Sequence, residues 1–433
     1  MAFLLAVATS SVHETETLVS FTLLELLVIL AAARLAAKTA RLLGQPRVVG
    51  EIIGGLVLGP SLFGRLFPGQ FNFVFKSISP VPMIILSQIG LALLMFQIGL
   101  EFDFSHLRNK QNRNVMVGVS VAGIALPFVL GWLVAASSHA ILAPAVNSLG
   151  YRLFVAVAMS ITAIPILGRI MMELGITKTR IGAIAITAAA INDVVGWILL
   201  AVVSALTVSE FSPRTFAMKL GLLAAFLLVS LLVIRPLLRK LVNAFRPANE
   251  FLSHDLMAIM IGLVFVYGLI TYSLGIFVIF GGFILGMLLH DQPEFVAAWK
   301  KTVSHFVSVF FLPIFFTFTG LRTNVNGLDS LALWGWCLVI TGAATLGKFL
   351  GCSLAGRFCG LSWPDAGCLG IMMNTRALME LVVINVGFDL GVIPPNVFTM
   401  LVLMAIFSTV ITAPFLRIYF GKIGYKYELR PDV

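Results

Sequence analysis

Long apolar runs, each about the 20 residues that a bilayer-spanning helix needs, alternate along the chain with short stretches that hold nearly all of its charges. Thirteen such segments can be read, at approximately 17–36, 48–64, 81–101, 114–136, 152–173, 180–208, 215–241, 254–273, 275–290, 303–321, 331–356, 363–388 and 396–419. The eighth and ninth nearly touch at Gly275, so twelve is the alternative count. The pattern predicts an all-α polytopic membrane protein.

Composition supports that class. Of 433 residues, 59% are hydrophobic and 11% charged, against about 25% charged in a soluble globular domain. One water-facing fold has no place for so much apolar surface, whereas lipid does. Residues 1–16 hold no Lys or Arg, so the basic region of a cleaved signal peptide is missing and the first run reads as a retained span.

The net charge of +10 is read as bias between the two sides of a membrane, not as a nucleic-acid surface. Cytoplasmic loops retain Lys and Arg. Segments after odd-numbered runs carry 21 of the 29 basic residues, from Arg34 to Arg430, and those after even-numbered runs carry 6. The consistent solution has the N-terminus outside and the C-terminus inside. Six His and four Cys show no metal-ligand spacing, so no metal or cofactor is expected. Cys337, Cys352, Cys359 and Cys368 read as small hydrophobes, not a disulfide framework.

Two basic residues remain, Lys348 and Arg376, and both fall inside apolar runs with Glu25, Asp193 and Glu380. Glu51 lies near a cytoplasmic entry. Charges at mid-bilayer are expensive, rare and functional by default. Asp193 sits in Thr187-Ala-Ala-Ala-Ile-Asn192-Asp193-Val-Val-Gly196, midway along the sixth run. The small residues before it allow a second helix to approach closely. Burial and a nearby cation pull a carboxylate's proton affinity in opposite directions. One carboxylate that holds either a proton or a monovalent cation, but not both, is the minimal chemistry of exchange.

Asn192 offers a carbonyl that either ligates a cation or bonds to a neighbouring helix; both readings stand. Lys348 lies between Gly347 and Gly351, a spacing that brings it close to a partner helix and makes it a candidate charge partner for Asp193. Snorkelling to a helix end is the other reading. Arg376 and Glu380, four apart on one helix face, either neutralise each other or let Arg376 shape the site. Glu25 has no matching base nearby and reads as a dimer-interface or core-facing carboxylate.

The fifth run contains Ser160-Ile-Thr162-Ala-Ile-Pro165, where the proline removes a helical hydrogen bond and Ser160 and Thr162 offer hydroxyls. The twelfth is interrupted by Asn374-Thr375-Arg376. Either alone is readable as a kink. Breaks in corresponding halves point to an inverted-repeat transporter whose site lies where they cross, here between runs four to six and eleven to thirteen.

Several stretches then resemble the bacterial and plant monovalent cation:proton antiporters of the second family. They are Gln45-Pro46-Arg47-Val-Val-Gly50-Glu51-Ile-Ile-Gly-Gly-Leu-Val-Leu-Gly59-Pro60-Ser61 and the run Leu-Leu-Met-Phe-Gln-Ile-Gly-Leu-Glu ending at Glu101. Thr162-Ala-Ile-Pro165-Ile-Leu-Gly-Arg, Asn192-Asp193 and Met373-Asn374-Thr375-Arg376-Ala-Leu-Met-Glu380-Leu follow in order. The resemblance spans nearly the whole chain. It implies the Na⁺/H⁺ antiporter fold, with a mobile core (about 114–208 and 331–420) and a dimerisation scaffold (about 17–101 and 215–321). It also implies exchange of Na⁺ or K⁺ for H⁺ without ATP, with Asp193 as the essential carboxylate, Lys348 as its basic companion and a homodimer in a bacterial inner membrane. Many electrogenic relatives have two adjacent acids where this chain has Asn192-Asp193, which favours one-for-one exchange unless Lys348 also releases a proton. The chain stops about 14 residues past its last apolar run, so no appended nucleotide-binding domain is expected. A proton-uncoupled channel and a transport-inactive sensor are the rival readings.

Overall fold

The computed structural model describes residues 2–45, 47–77, 79–100, 110–173, 176, 179–208, 213–245, 251–274, 278–376 and 378–423. Its regular elements are helices. The first five are α1 (Ala2–Leu42), α2 (Arg47–Leu58), two short pieces α3 (Phe63–Leu66) and α4 (Pro68–Phe75), and α5 (Val81–Leu100). Then come α6 (Lys110–Leu142), α7 (Ser148–Ser160), α8 (Ile164–Glu173) and α9 (Arg180–Val208). α10 (Pro213–Val229) runs through a π-helical turn into α11 (Arg235–Ala244). α12 (His254–Ser273), α13 (Val278–Leu289) and α14 (Pro293–Trp299) lead through two more π-helical turns into α15 (Leu312–Arg322). The last four are α16 (Leu331–Phe358), α17 (Trp363–Met373), α18 (Leu378–Asp389) and α19 (Pro395–Ile423).

Among the described residues nine helices are long and apolar enough to cross a bilayer. The difference from thirteen expected segments has a simple origin. The third and ninth fall on shorter apolar helices, α5 and α13, and the fifth and twelfth are each split into two half-helices. Leu232, Leu237, Leu27 and Leu338, each more than 60% exposed, face outward, as lipid permits and water does not. Glu25, by contrast, is 3% exposed, so it points into the protein.

Two sets of helices pack among themselves. In one, α1 lies on α2, α2 on α15, α15 on α5, α5 on α13 and α13 on α12. In the other, α6 lies on α16, α7 and α9, and α16 lies on α17 and α19. Glycines set the closest contacts. A Cβ on Gly286 of α13 would lie 2.2 Å from the Phe96 carbonyl of α5, and one on Gly320 of α15 would lie 2.0 Å from the Gly55 carbonyl of α2. No side chain fits at either place, so backbone meets backbone, the usual way helices associate in lipid. Gly351 of α16 packs on the Ala122 carbonyl of α6 and carries Lys348 to that helix. Cys337, Cys352 and Cys368 are buried, and all four cysteines are free.

Candidate functional site

The second set contains two interrupted helices. Asn147 caps the start of α7 by accepting from Gly150 N at 3.0 Å. The helix then ends at Ser160, residues 161–163 leave the helical path, and α8 resumes at Ile164. Pro165 therefore does not kink a continuous helix. It stands in the first turn of α8, where a missing N–H leaves no helical bond unmade, and the break lies just before it. Ser362 caps α17 by accepting from Asp365 N, and this helix stops at Met373, with α18 beginning at Leu378. The two breaks touch. Ala163 N donates to Thr375 O at 3.1 Å, and Thr162 Oγ1 donates to Met373 O at 3.1 Å.

Each half-helix ends with carbonyls that lack helical donors and carry partial negative charge. The end of α7 is met by two cations. Arg376 donates to Met159 O at 2.7 Å and to Ala158 O at 3.3 Å, while Lys348 donates to Ser160 O and, at 2.7 Å, to Gly123 O of α6. Arg376 also reaches Ala344 O at 3.0 Å and Glu380 Oε1 at 3.3 Å. The end of α17 is met by backbone amides and by hydroxyls, with no cation among the described donors: Thr162 Oγ1 donates to Met373 O, and Thr375 donates to Met372 O through its N at 3.1 Å and its Oγ1 at 2.8 Å. The crossing is thus electrically lopsided, with both fixed cations on one half-helix. Thr409 of α19 pins the second break, its hydroxyl accepting from Arg376 N at 3.2 Å and lying 2.9 Å from Arg376 O.

Asp193 lies on α9 beside this crossing, fully buried, near enough to Lys348 for their charges to interact. Asn192 is equally buried, and its Nδ2 lies 3.5 Å from Thr162 Oγ1. Among the described residues nothing donates to Asn192 Oδ1. The carboxylate, that amide oxygen and the Thr162 hydroxyl are hard oxygen donors of the kind that replace water around an alkali cation. The Ser160 hydroxyl turns back to Val157 O at 2.9 Å.

The structure thus gathers Thr162, Asn192, Asp193, Lys348, Asn374, Thr375, Arg376 and Glu380 around one crossing. It also adds three residues the sequence did not single out. Gly123 is one: a Cβ there would lie 2.7 Å from Cys352 Sγ and 3.3 Å from Asn192 Nδ2. Cys352 is the second and Thr409 the third. Only Thr409 carried a signal, in the polar Ser408-Thr409-Val-Ile-Thr412 inside an apolar run.

Long apolar helices, with two broken helices crossed beside a buried carboxylate, place the chain among polytopic α-helical membrane proteins. The sodium/hydrogen exchanger transmembrane family matches residues 4–420, and the chain belongs to that family. It is 37% identical over 403 residues to the Na⁺/H⁺ antiporter NhaS4 of Synechocystis sp., covering 93% of this chain and 97% of that one. It is 36% identical over 392 residues to cation/H⁺ antiporter 17 of Arabidopsis thaliana, covering 90% of this chain and 47% of the plant protein. The chain therefore spans about half the length of such plant relatives. The solved sodium proton antiporter MjNhaP1 of Methanocaldococcus jannaschii shares the fold, with a TM-score of 0.62 at 17% identity, covering 92% of this chain and 96% of that one.

Proposed function

We propose that the protein is a secondary antiporter that exchanges a monovalent cation, Na⁺ or K⁺, for H⁺ by alternating access, and that it is no enzyme. The observation that carries this reading is the buried Asp193 of α9 beside two broken helices, with Asn192 and Thr162 supplying further oxygens. On one side Asp193 loses its proton and takes a dehydrated cation; on the other it releases the cation and is protonated. A dry site that excludes both together gives obligatory exchange. Lys348, held by the carbonyls of Gly123 and Ser160, balances the charge of the empty carboxylate and lets go of it when the cation binds. The names of NhaS4, a Na⁺/H⁺ antiporter, and of a yeast K⁺/H⁺ antiporter 30% identical over 383 residues agree with the substrate class.

In this reading α6–α9 and α16–α19 are the moving core, and α1–α5 and α10–α15 form the scaffold of a homodimer. Basic residues of the stretches after odd-numbered runs face the cytoplasm of a cell whose plasma membrane holds the protein. Purified protein in vesicles with an acidic interior and a trapped pH dye tests the reading. Addition of Na⁺ or K⁺ should discharge the gradient with no counter-ionophore present, whereas a proton-uncoupled channel leaves internal pH unchanged when the membrane potential is clamped.

A further inference from the structure

Resting on that transport reading, we infer that Arg322, Asn385 and Asp389 form a latch that, with Trp197, holds the outer path to Asp193 shut in this conformation. Arg322 ends α15, in the scaffold set, and Asp389 ends α18, in the core set. Arg322 Nη1 donates to Asn385 Oδ1 at 2.9 Å, and Nη2 reaches Asp389 Oδ1. Its guanidinium stacks between Phe318 and Phe388, 4.8 Å from each ring centre. Asn385 Nδ2 in turn donates to Thr319 Oγ1 of α15 at 3.0 Å. Four polar or aromatic contacts therefore join one residue pair of α15 to one face of α18. The scaffold side is itself braced, because Ser61 Oγ donates to Thr323 O at 2.9 Å and accepts from Val325 N at 2.8 Å.

The latch sits at the end of the molecule that α9 faces beyond Asp193. Thr207, near the end of α9, and Val392, just past α18, both meet Gly150 at the start of α7. Between Asp193 and that end, one turn and then nearly two turns further, Trp197 and Ser204 continue the same face of α9. Trp197 plugs against Phe280 of α13, with ring centres 4.8 Å apart, so it also bridges the two sets. Trp197 Nε1 and Ser204 Oγ are buried and find no hydrogen-bond partner among the described residues. Buried polar groups are ordinarily satisfied. Two unsatisfied ones in a row along the closed route are what a path that fills with water in the opposite conformation leaves behind when it shuts. Movement of the core against the scaffold has to break every one of these contacts, while contacts within each set survive it.

The first arm of the test needs no transport. The full chain carrying Ser204→Cys is reconstituted, treated from the latch side with a membrane-impermeant maleimide, and the modified peptide is followed by mass spectrometry. The latch predicts labelling about tenfold faster with Arg322→Ala and several-fold faster with Asp389→Asn. Arg322→Lys, which keeps the charge and loses the fork, should fall between, a gradation misfolding would not give. A second arm joins Thr319→Cys to Asn385→Cys: oxidation should abolish exchange and reduction restore it. Equal labelling in all variants, or full exchange by cross-linked protein, overturns the latch. Labelling that accelerates in protein showing no exchange at all would instead keep the latch and retire the transport reading.

Discussion

Arg376 offers the sharpest energetic prediction, because its environment can be counted. Replacing it by Met strips the donors from the carbonyls of Ala158 and Met159, which end α7 and have no helical partners, and leaves Glu380 unpaired. The Ala344 carbonyl lies inside α16 and keeps its helical bond. Two orphaned buried acceptors cost about 1–3 kcal/mol each, and an uncompensated buried charge about 3–5 kcal/mol. The sum, about 5–11 kcal/mol, is comparable with the whole stability of a typical domain, about 5–15 kcal/mol. Arg376→Met should therefore yield little folded protein. The double change Arg376→Met with Glu380→Gln removes the stranded charge and should recover about 3 kcal/mol. The assay is thermal survival in detergent, read as the monodisperse fraction after heating, for wild type, both single variants and the double. The double variant should outlast Arg376→Met although it carries one more substitution. If it is equally or less stable, Glu380 is not what Arg376 neutralises, and the arginine acts only on the end of α7.

Three further outcomes follow from other parts of the site. Gly123→Ala should slow exchange at least tenfold, since the new methyl collides with Cys352 Sγ, and adding Cys352→Ala should restore most of it; a double variant as slow as the single contradicts the steric account. Gly286→Val should prevent accumulation of folded protein, because its Cβ would lie 2.2 Å from the Phe96 carbonyl, and normal yield with normal melting would disprove the backbone contact between α5 and α13. Competition of proton and cation for Asp193 predicts that the apparent KM for the cation rises as pH falls, approaching tenfold per unit on the acid side of the carboxylate's titration; a KM independent of pH would mean separate sites.

Much of this arrangement was legible in the sequence because bilayer length and charge cost are strong local signals. The apolar runs, the two interruptions and the five buried charges needed no tertiary information. The pairing of Arg376 with Glu380 was also readable, since helical spacing alone puts them together. Partners across the chain were not. Arg376 finds carbonyls of Ala158 and Met159 more than 200 residues away, and a carbonyl acceptor leaves no mark on residue type. Lys348 likewise settles on the carbonyls of Gly123 and Ser160. Pro165 misled about position: a proline marks a helix start as readily as a kink, and only the backbone showed which. Arg322 reads in the sequence as one more loop charge, because nothing local reveals that Asn385 and Asp389 lie against it.

The central claim is that one carboxylate carries both ions, and Asp193→Asn tests it most directly. Wild type and variant are reconstituted at matched density in vesicles with an acidic interior, and the internal pH is followed after addition of Na⁺, K⁺ or Li⁺. Asparagine keeps the size of the side chain, so the fold should persist. The account predicts that at least one cation discharges the gradient in wild type and that none does so in the variant. Cation-driven proton movement of undiminished rate in Asp193→Asn protein would contradict it.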